Sequence, residues 1–223
     1  MKKILTLLVS ISLISLMAAP TVAVSDGHIS KSPAFWTFGV GPVGSTKLVR
    51  TRNGLTGQFK TTGLTAGHAV TLWIMFFDNP EACTVPGFCN PDIDIGRDGV
   101  RFDFHYAGGH IVNDSKTTLT GHVRVGELST SGWAELVALG GPGAPPPFFV
   151  TPLTNPMGAQ VILAIHSHGP AQRGRNLAAQ MSSYTGGCDF PFLGDAAGFA
   201  TGWQDVPDET GECSTIQVAF HNP

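Results

Sequence analysis

Charge is what this chain has least of. Only 13% of its 223 residues are Asp, Glu, Lys or Arg, against roughly 25% in an average soluble protein. That shortage excludes a coiled coil, a helical bundle and a long disordered tail, all of which depend on many charged side chains. With 13 basic and 16 acidic residues the chain also lacks the net cationic footprint of a nucleic-acid binder. Catalytic signatures are missing too. There is no G-x-S-x-G elbow, no H-E-x-x-H, no phosphate-cradling Walker loop and no G-x-G-x-x-G, so the common hydrolase, zinc-protease and nucleotide-binding motifs have no footing. The acids are too scattered to nominate a glycosidase pair.

What is abundant is glycine, with 28 residues, and proline, with 16. Both punctuate turns. The chain opens with Lys2 and Lys3, an apolar run over residues 4–17, and small residues with Thr21 and Ala23 at −3/−1 spacing. This is the pattern of a secretory signal peptide over residues 1–23. The run is too short for a membrane span, which needs about 20 residues, and no later run is longer. The expectation is one exported domain over residues 24–223, secreted or periplasmic, with no stable membrane anchor after cleavage. Losing residues 1–23 removes two lysines and no acid, which leaves 11 basic against 16 acidic residues, a net charge of −5.

All four cysteines, Cys83, Cys89, Cys188 and Cys213, lie in that exported part. An even count there reads most simply as two disulfides. Three pairings are open, of which Cys83–Cys89 with Cys188–Cys213 is favoured because the first pair shares one short loop. A zinc site is the rival reading, but no C-x-x-C pair supports it.

Strand signals recur along the chain. Residues 46–52 and 55–62 flank Asn53-Gly54, a strong hairpin signal. Residues 68–77 (HAVTLWIMFF) are apolar on both faces, as in a central strand covered on each side. Residues 100–106 alternate, with Arg101, Asp103 and His105 on one face and Phe102, Phe104 and Tyr106 on the other. Residues 117–125, 132–139, 159–168 and 214–220 complete the set, and residues 174–182 are the one helix candidate. Seven or eight short strands with turns rich in Gly and Pro predict an all-β antiparallel sandwich, Greek-key or immunoglobulin-like, with long loops over residues 78–99 and 140–158.

Two constellations could carry chemistry. His166 and His168 sit at i and i+2 of a strand, so both point to one face and could share a copper or zinc ion. Two ligands do not complete a site, and His105 and His110 are the better of the remaining histidines. The plainer and preferred reading is a pair of rim histidines bonded to a loop or to water. The second constellation is Asp92, Asp94 and Asp98, followed by Asp103, spaced somewhat like a calcium loop. Arg97 holds the place where an EF-hand needs its glycine, so a solvated acidic loop is preferred. Asn113-Asp114-Ser115 fits a glycosylation sequon, and the scattered tryptophans read as core residues.

The stretches GLTAGHAVTLW (residues 63–73) and AQVILAIHSHGP (residues 159–170) resemble chordin-type domains and related secreted bacterial β-sandwich proteins. The resemblance implies a secreted β-sandwich and supplies no catalytic residues. The His-x-His strand is also similar to the copper-ligating pair of copper/zinc superoxide dismutase. Here only His221 follows the pair and no histidine–aspartate zinc loop is present, so a dismutase is not expected. The combined expectation is a non-catalytic exported protein that binds an extracellular or periplasmic ligand or has a structural role. The alternative is a copper- or zinc-binding protein, with redox activity as one form of that role. Reduction of its disulfides is expected to lower the melting temperature, since a native bridge contributes about 2–5 kcal/mol. Free thiols on the native exported protein would contradict the pairing.

Overall fold

The structure, a computed structural model, describes residues 27–37, 41–129, 150–184 and 214–223. Eight strands run through them: β1 (His28–Trp36), β2 (Pro42–Thr51), β3 (Gly54–Thr61), β4 (His68–Phe77), β5 (Phe102–Ile111), β6 (Thr117–Arg124), β7 (Gln160–Pro170) and β8 (Ser214–His221). They form one sheet in the order β5-β4-β7-β8-β1-β2-β3-β6, and every strand pairing in it is antiparallel. The all-β antiparallel class read from the sequence is what the structure shows. Its form is a single curled, barrel-like sheet. The two separate sheets of the expected sandwich are not seen, because a short seam makes the sheet continuous where Phe35 and Trp36 of β1 pair with Val218 and Gln217 of β8.

At the opposite side the end strands β5 and β6 come together. Gly121 makes this possible, because a Cβ at that position would lie 2.1 Å from the Ala107 Cβ. Inside the curl, side chains from both halves form one core that includes Leu48, Phe59, Leu72, Ile74, Phe76, Leu163 and Ile165. A second cluster, with Trp73, Met75, Phe77, Phe102, Phe104 and Ile162, lies on the outer face of β4, β5 and β7. Strand β4 is therefore buried on both faces, as its unbroken apolar run predicts.

Asn53-Gly54 joins β2 to β3 as a hairpin, with Thr51 opposite Gly54. The helix expected near residues 174–182 is α2 (Arg175–Gln180), and a shorter helix, α1 (Pro91–Asp94), lies in the loop after β4. Strand β1 had no counterpart among the expected strands. Its Lys, Ser and Pro residues give weak β propensity, and its place comes from pairing with β2 along its length. The strand expected at residues 132–139 and most of the loop at residues 140–158 lie outside the described residues.

Arg50 is the least expected core residue. It follows Thr46 and Leu48 in the inward phase of β2 and is fully buried, with no carboxylate on it among the described residues. Its Nη2 donates to the carbonyls of Ala159, His221 and Asn222 at 3.0–3.1 Å, tying β2 to the start of β7 and the end of β8. Burial lowers its pKa to about 10, so it stays charged at neutral pH.

Substituting Gly121→Ala should push β6 off β5 and destabilise the protein by about 2 kcal/mol, the usual scale of overpacking. Adding Ala107→Gly should recover part of that loss, read as the midpoint of urea unfolding. A Gly121→Ala protein as stable as the parent would contradict this contact.

Candidate functional site

The histidine pair lies on the outer face of β7, where irregular pairing shapes the strand end. Val161, Leu163 and Ile165 point into the inner core while Ile162 and Ala164 belong to the outer cluster. The registers with β4 and β8 both shift near the end of β7. His166 stands opposite Thr71 of β4 and Thr215 of β8, with Gly109 of β5 beyond Thr71. The result is a polar row across four strands.

Both rings are buried, each with 2% exposure, and their centroids are 5.0 Å apart. The indole N–H of Trp73, which can only donate, gives its hydrogen bond to the Thr71 hydroxyl at 2.8 Å. That hydroxyl is 2.9 Å from His168 Nε2, so Thr71 links the indole to the imidazole. His166 Nδ1 is 3.4 Å from the Thr215 hydroxyl, which also meets the Tyr184 hydroxyl at 2.9 Å. The Tyr184 ring lies against His166 at 4.1 Å and edge-on to Trp73 at 5.3 Å.

Tyr184 belongs to an arm, residues 171–184, that lies over this face. The Gln180 side chain is fully buried and holds the arm down by donating to the carbonyls of His168 and Pro170 at 3.0 and 3.1 Å, while its oxygen accepts from the Gln172 N–H at 2.8 Å. Over β5 the arm passes above Gly109, where a Cβ would come within 2.8 Å of the Met181 carbonyl oxygen. That oxygen accepts from the Tyr106 hydroxyl. Burial pushes the His166 pKa well below its ordinary value, and the neighbouring His168 adds to the effect. The site is a buried polar cluster beneath an arm, with His166 disfavoured as a cation.

The other histidines nominated by the sequence do not join it. His105 stands opposite Ile74 on the inner side, stacks on Phe76 at 5.7 Å, and has its Nε2 3.0 Å from Asp103 Oδ2. It therefore faces away from His166 across the sheet. His110 pairs with the inward-facing Val70 near the far end of β5. Among the described residues no three His, Cys, Asp or Glu side chains are grouped to hold a metal ion.

The acidic constellation is dispersed in the same way. Asp92 is in α1 and Asp98 is exposed. Asp94 is fully buried and accepts from the Thr84 N–H and hydroxyl at 2.7 Å and from the Asn90 N–H at 2.8 Å. Burial raises its pKa, but those donors and the Arg97 charge outweigh burial and hold it below the usual value. Asp103 accepts from the Phe104 and Ser129 N–H groups, each at 2.8 Å. Both acids fasten loops.

Cys83 and Cys89 form the expected disulfide, while Cys188 and Cys213 lie outside the described residues. The buried Gln160 side chain exchanges two hydrogen bonds with the Cys89 backbone, 2.6 and 2.9 Å long, and so pins the disulfide loop to β7. Val85 and Phe88, between the cysteines, are 56% and 44% exposed, and Phe88 meets Phe220 of β8 at 6.2 Å. No local pattern of residues marks Tyr184, Gln180 or Gln160 for these roles. Comparison with protein-family models, curated proteins and solved structures finds no match to this chain.

A second buried histidine shares the electrostatic character of His166. His221 Nδ1 and Nε2 lie 2.9 Å from the hydroxyls of Ser30 and Thr46, and burial, with the Arg50 charge, lowers its pKa to about 4. The unfolded chain takes up a proton on each histidine near pH 6.5, whereas the folded protein resists. Stability should thus be full above about pH 6.5 and fall below it by up to about 1.4 kcal/mol per pH unit per histidine. For His221 that decline runs to about pH 4. Urea midpoints measured across this range should flatten in His166→Asn and His221→Asn variants. Equal slopes in parent and variants would contradict the assignment.

Proposed function

We propose that the protein is an exported, non-catalytic β-domain that acts by binding at the cell exterior. Support for export comes from the basic and apolar amino terminus and from the Cys83–Cys89 disulfide, a bond that persists in oxidising compartments. No helix among the described residues is long and apolar enough to cross a membrane.

One observation carries the non-catalytic reading: the side chains best suited to chemistry are spent on holding loops and strands together. His166 stacks on Tyr184, His168 meets Thr71, Asp94 gathers Thr84 and Asn90, and Asp103 anchors Ser129. A barrel with its polar groups used in this way is a rigid support for exposed surface, which suits recognition. The chordin-type resemblance is consistent with that role. Its two motifs fall on the neighbouring strands β4 and β7, where His68 pairs with Pro170.

The rival reading, a copper or zinc protein, keeps one favourable observation, the two adjacent imidazoles on one face. Elemental analysis of protein purified under metal-replete conditions separates the two. Copper and zinc should be well below one equivalent and unchanged by His166→Ala, which should lower thermal stability by disturbing the packing of Tyr184. One bound equivalent that disappears in His166→Ala would overturn the non-catalytic reading.

A further inference from the structure

The half of the sheet opposite the histidine cluster has an outer surface of unusual composition for an acidic protein. Antiparallel registers set its side chains in rows. Lys31, Lys47, Gln58 and Thr120 stand side by side across β1, β2, β3 and β6, and the next row is Pro33, Ser45, Lys60 and Thr118. A third holds Ile29, Val49, Thr56 and His122. Successive rows on one face are about 6.5–7 Å apart and neighbours within a row about 5 Å.

No Asp or Glu occurs anywhere in residues 27–77 or 117–126. Lys116 precedes β6, so these strands and their edge carry every lysine after Lys3. Lys31, Lys47, Lys60 and Lys116 are all exposed, and none forms an ion pair among the described residues. At one end of the rows lies a groove of about 540 Å³ whose lining includes Ser45, Lys60, Thr62, Lys116 and Thr118.

The geometry points to this face as a binding surface for an extended acidic polysaccharide, a chain of sugars bearing carboxylate or sulfate groups. The inference deepens the binding role proposed above and rests on it. Four ammonium groups with no ion pair among the described residues, on and beside strands that carry no acid, attract an anion whatever the overall charge of the protein. The flanking acids, Asp114 and Glu127, accept from the backbone N–H groups of Lys116 and Arg124. Between them, Ser45, Thr56, Gln58, Thr118 and Thr120 offer hydroxyl and amide groups that both donate and accept, as sugar hydroxyls require. The only aromatic ring in these rows is the imidazole of His122, which bonds the Thr56 hydroxyl at 2.9 Å, so they offer no series of rings on which successive nucleic-acid bases could stack. Their apolar members are confined to Pro33 and the Ile29–Val49 pair, too little to enter a bilayer.

The test uses the full mature chain with its disulfides intact and a Lys47→Gln, Lys60→Gln, Lys116→Gln triple variant, whose changes are all exposed and should leave folding intact. Polygalacturonate and heparin serve as carboxylated and sulfated probes. Dextran, a single-stranded DNA oligonucleotide and phosphatidylglycerol vesicles serve as comparisons. Binding to at least one acidic polysaccharide should exceed binding to every comparison, weaken with salt, and fall at least about tenfold in the triple variant, with a shallower salt dependence. Unchanged binding in the variant, no binding to either polysaccharide, or equal binding to dextran, DNA or vesicles would overturn the inference and leave the non-catalytic reading standing. Release of new reducing ends from a bound polysaccharide would instead overturn that reading while preserving the surface.

Discussion

The structure depends on one constraint: β4 and β7 are buried on both faces. A curled sheet covers only one face of each strand, so the other must be sealed by chain from outside. Trp73, Met75, Phe77, Ile162 and Ala164 form that second apolar layer, and two segments lie across it. One is the disulfide loop after β4, pinned by Gln160. The other is the arm at residues 171–184, held by Gln180 and Tyr184. A loop brought against a buried sheet must have its backbone polar groups satisfied locally, and buried glutamine amides supply those bonds here.

The same constraint explains the histidines. Where β7 runs out of apolar residues it carries His166 and His168, which are polar enough to bond Thr71 and Thr215 and flat enough to pack under Tyr184. Neutral imidazole serves both needs, and burial keeps His166 in that state. The inner side repeats the solution at His221, which joins Ser30 and Thr46 next to the guanidinium of Arg50. Each polar group closes a seam between elements that are distant in sequence.

Much of this was legible in the residues. The unbroken run of β4, the Asn53-Gly54 hairpin, the alternation of Phe102, Asp103, Phe104 and His105, and the Cys83–Cys89 loop are local signals, and local signals survive without knowledge of neighbours. The i, i+2 rule correctly put His166 and His168 on one face. It could not reveal that His105 faces the opposite side of the sheet, because that depends on long-range pairing with β4, which sets His105 beside the inward Ile74 and His166 beside the outward Thr71. Arg50 left a trace, a charged residue in phase with Thr46 and Leu48, that hydrophobic patterning alone treats as noise. The lysine face was hidden for a different reason. Net charge averages over the whole chain, while the fold collects lysines from β1, β2, β3 and the residue before β6 on one side, on strands that carry no acid.

The central claim is that the paired histidines are structural and that the protein acts through its surface. NMR of the imidazole nitrogens in the folded protein tests it most directly. At neutral pH the His166 ring should be neutral, and one equivalent of zinc(II) should leave the chemical shifts of the His166 and His168 rings unchanged. Ring-nitrogen shifts that move together on zinc addition, in protein that stays folded, would contradict the account.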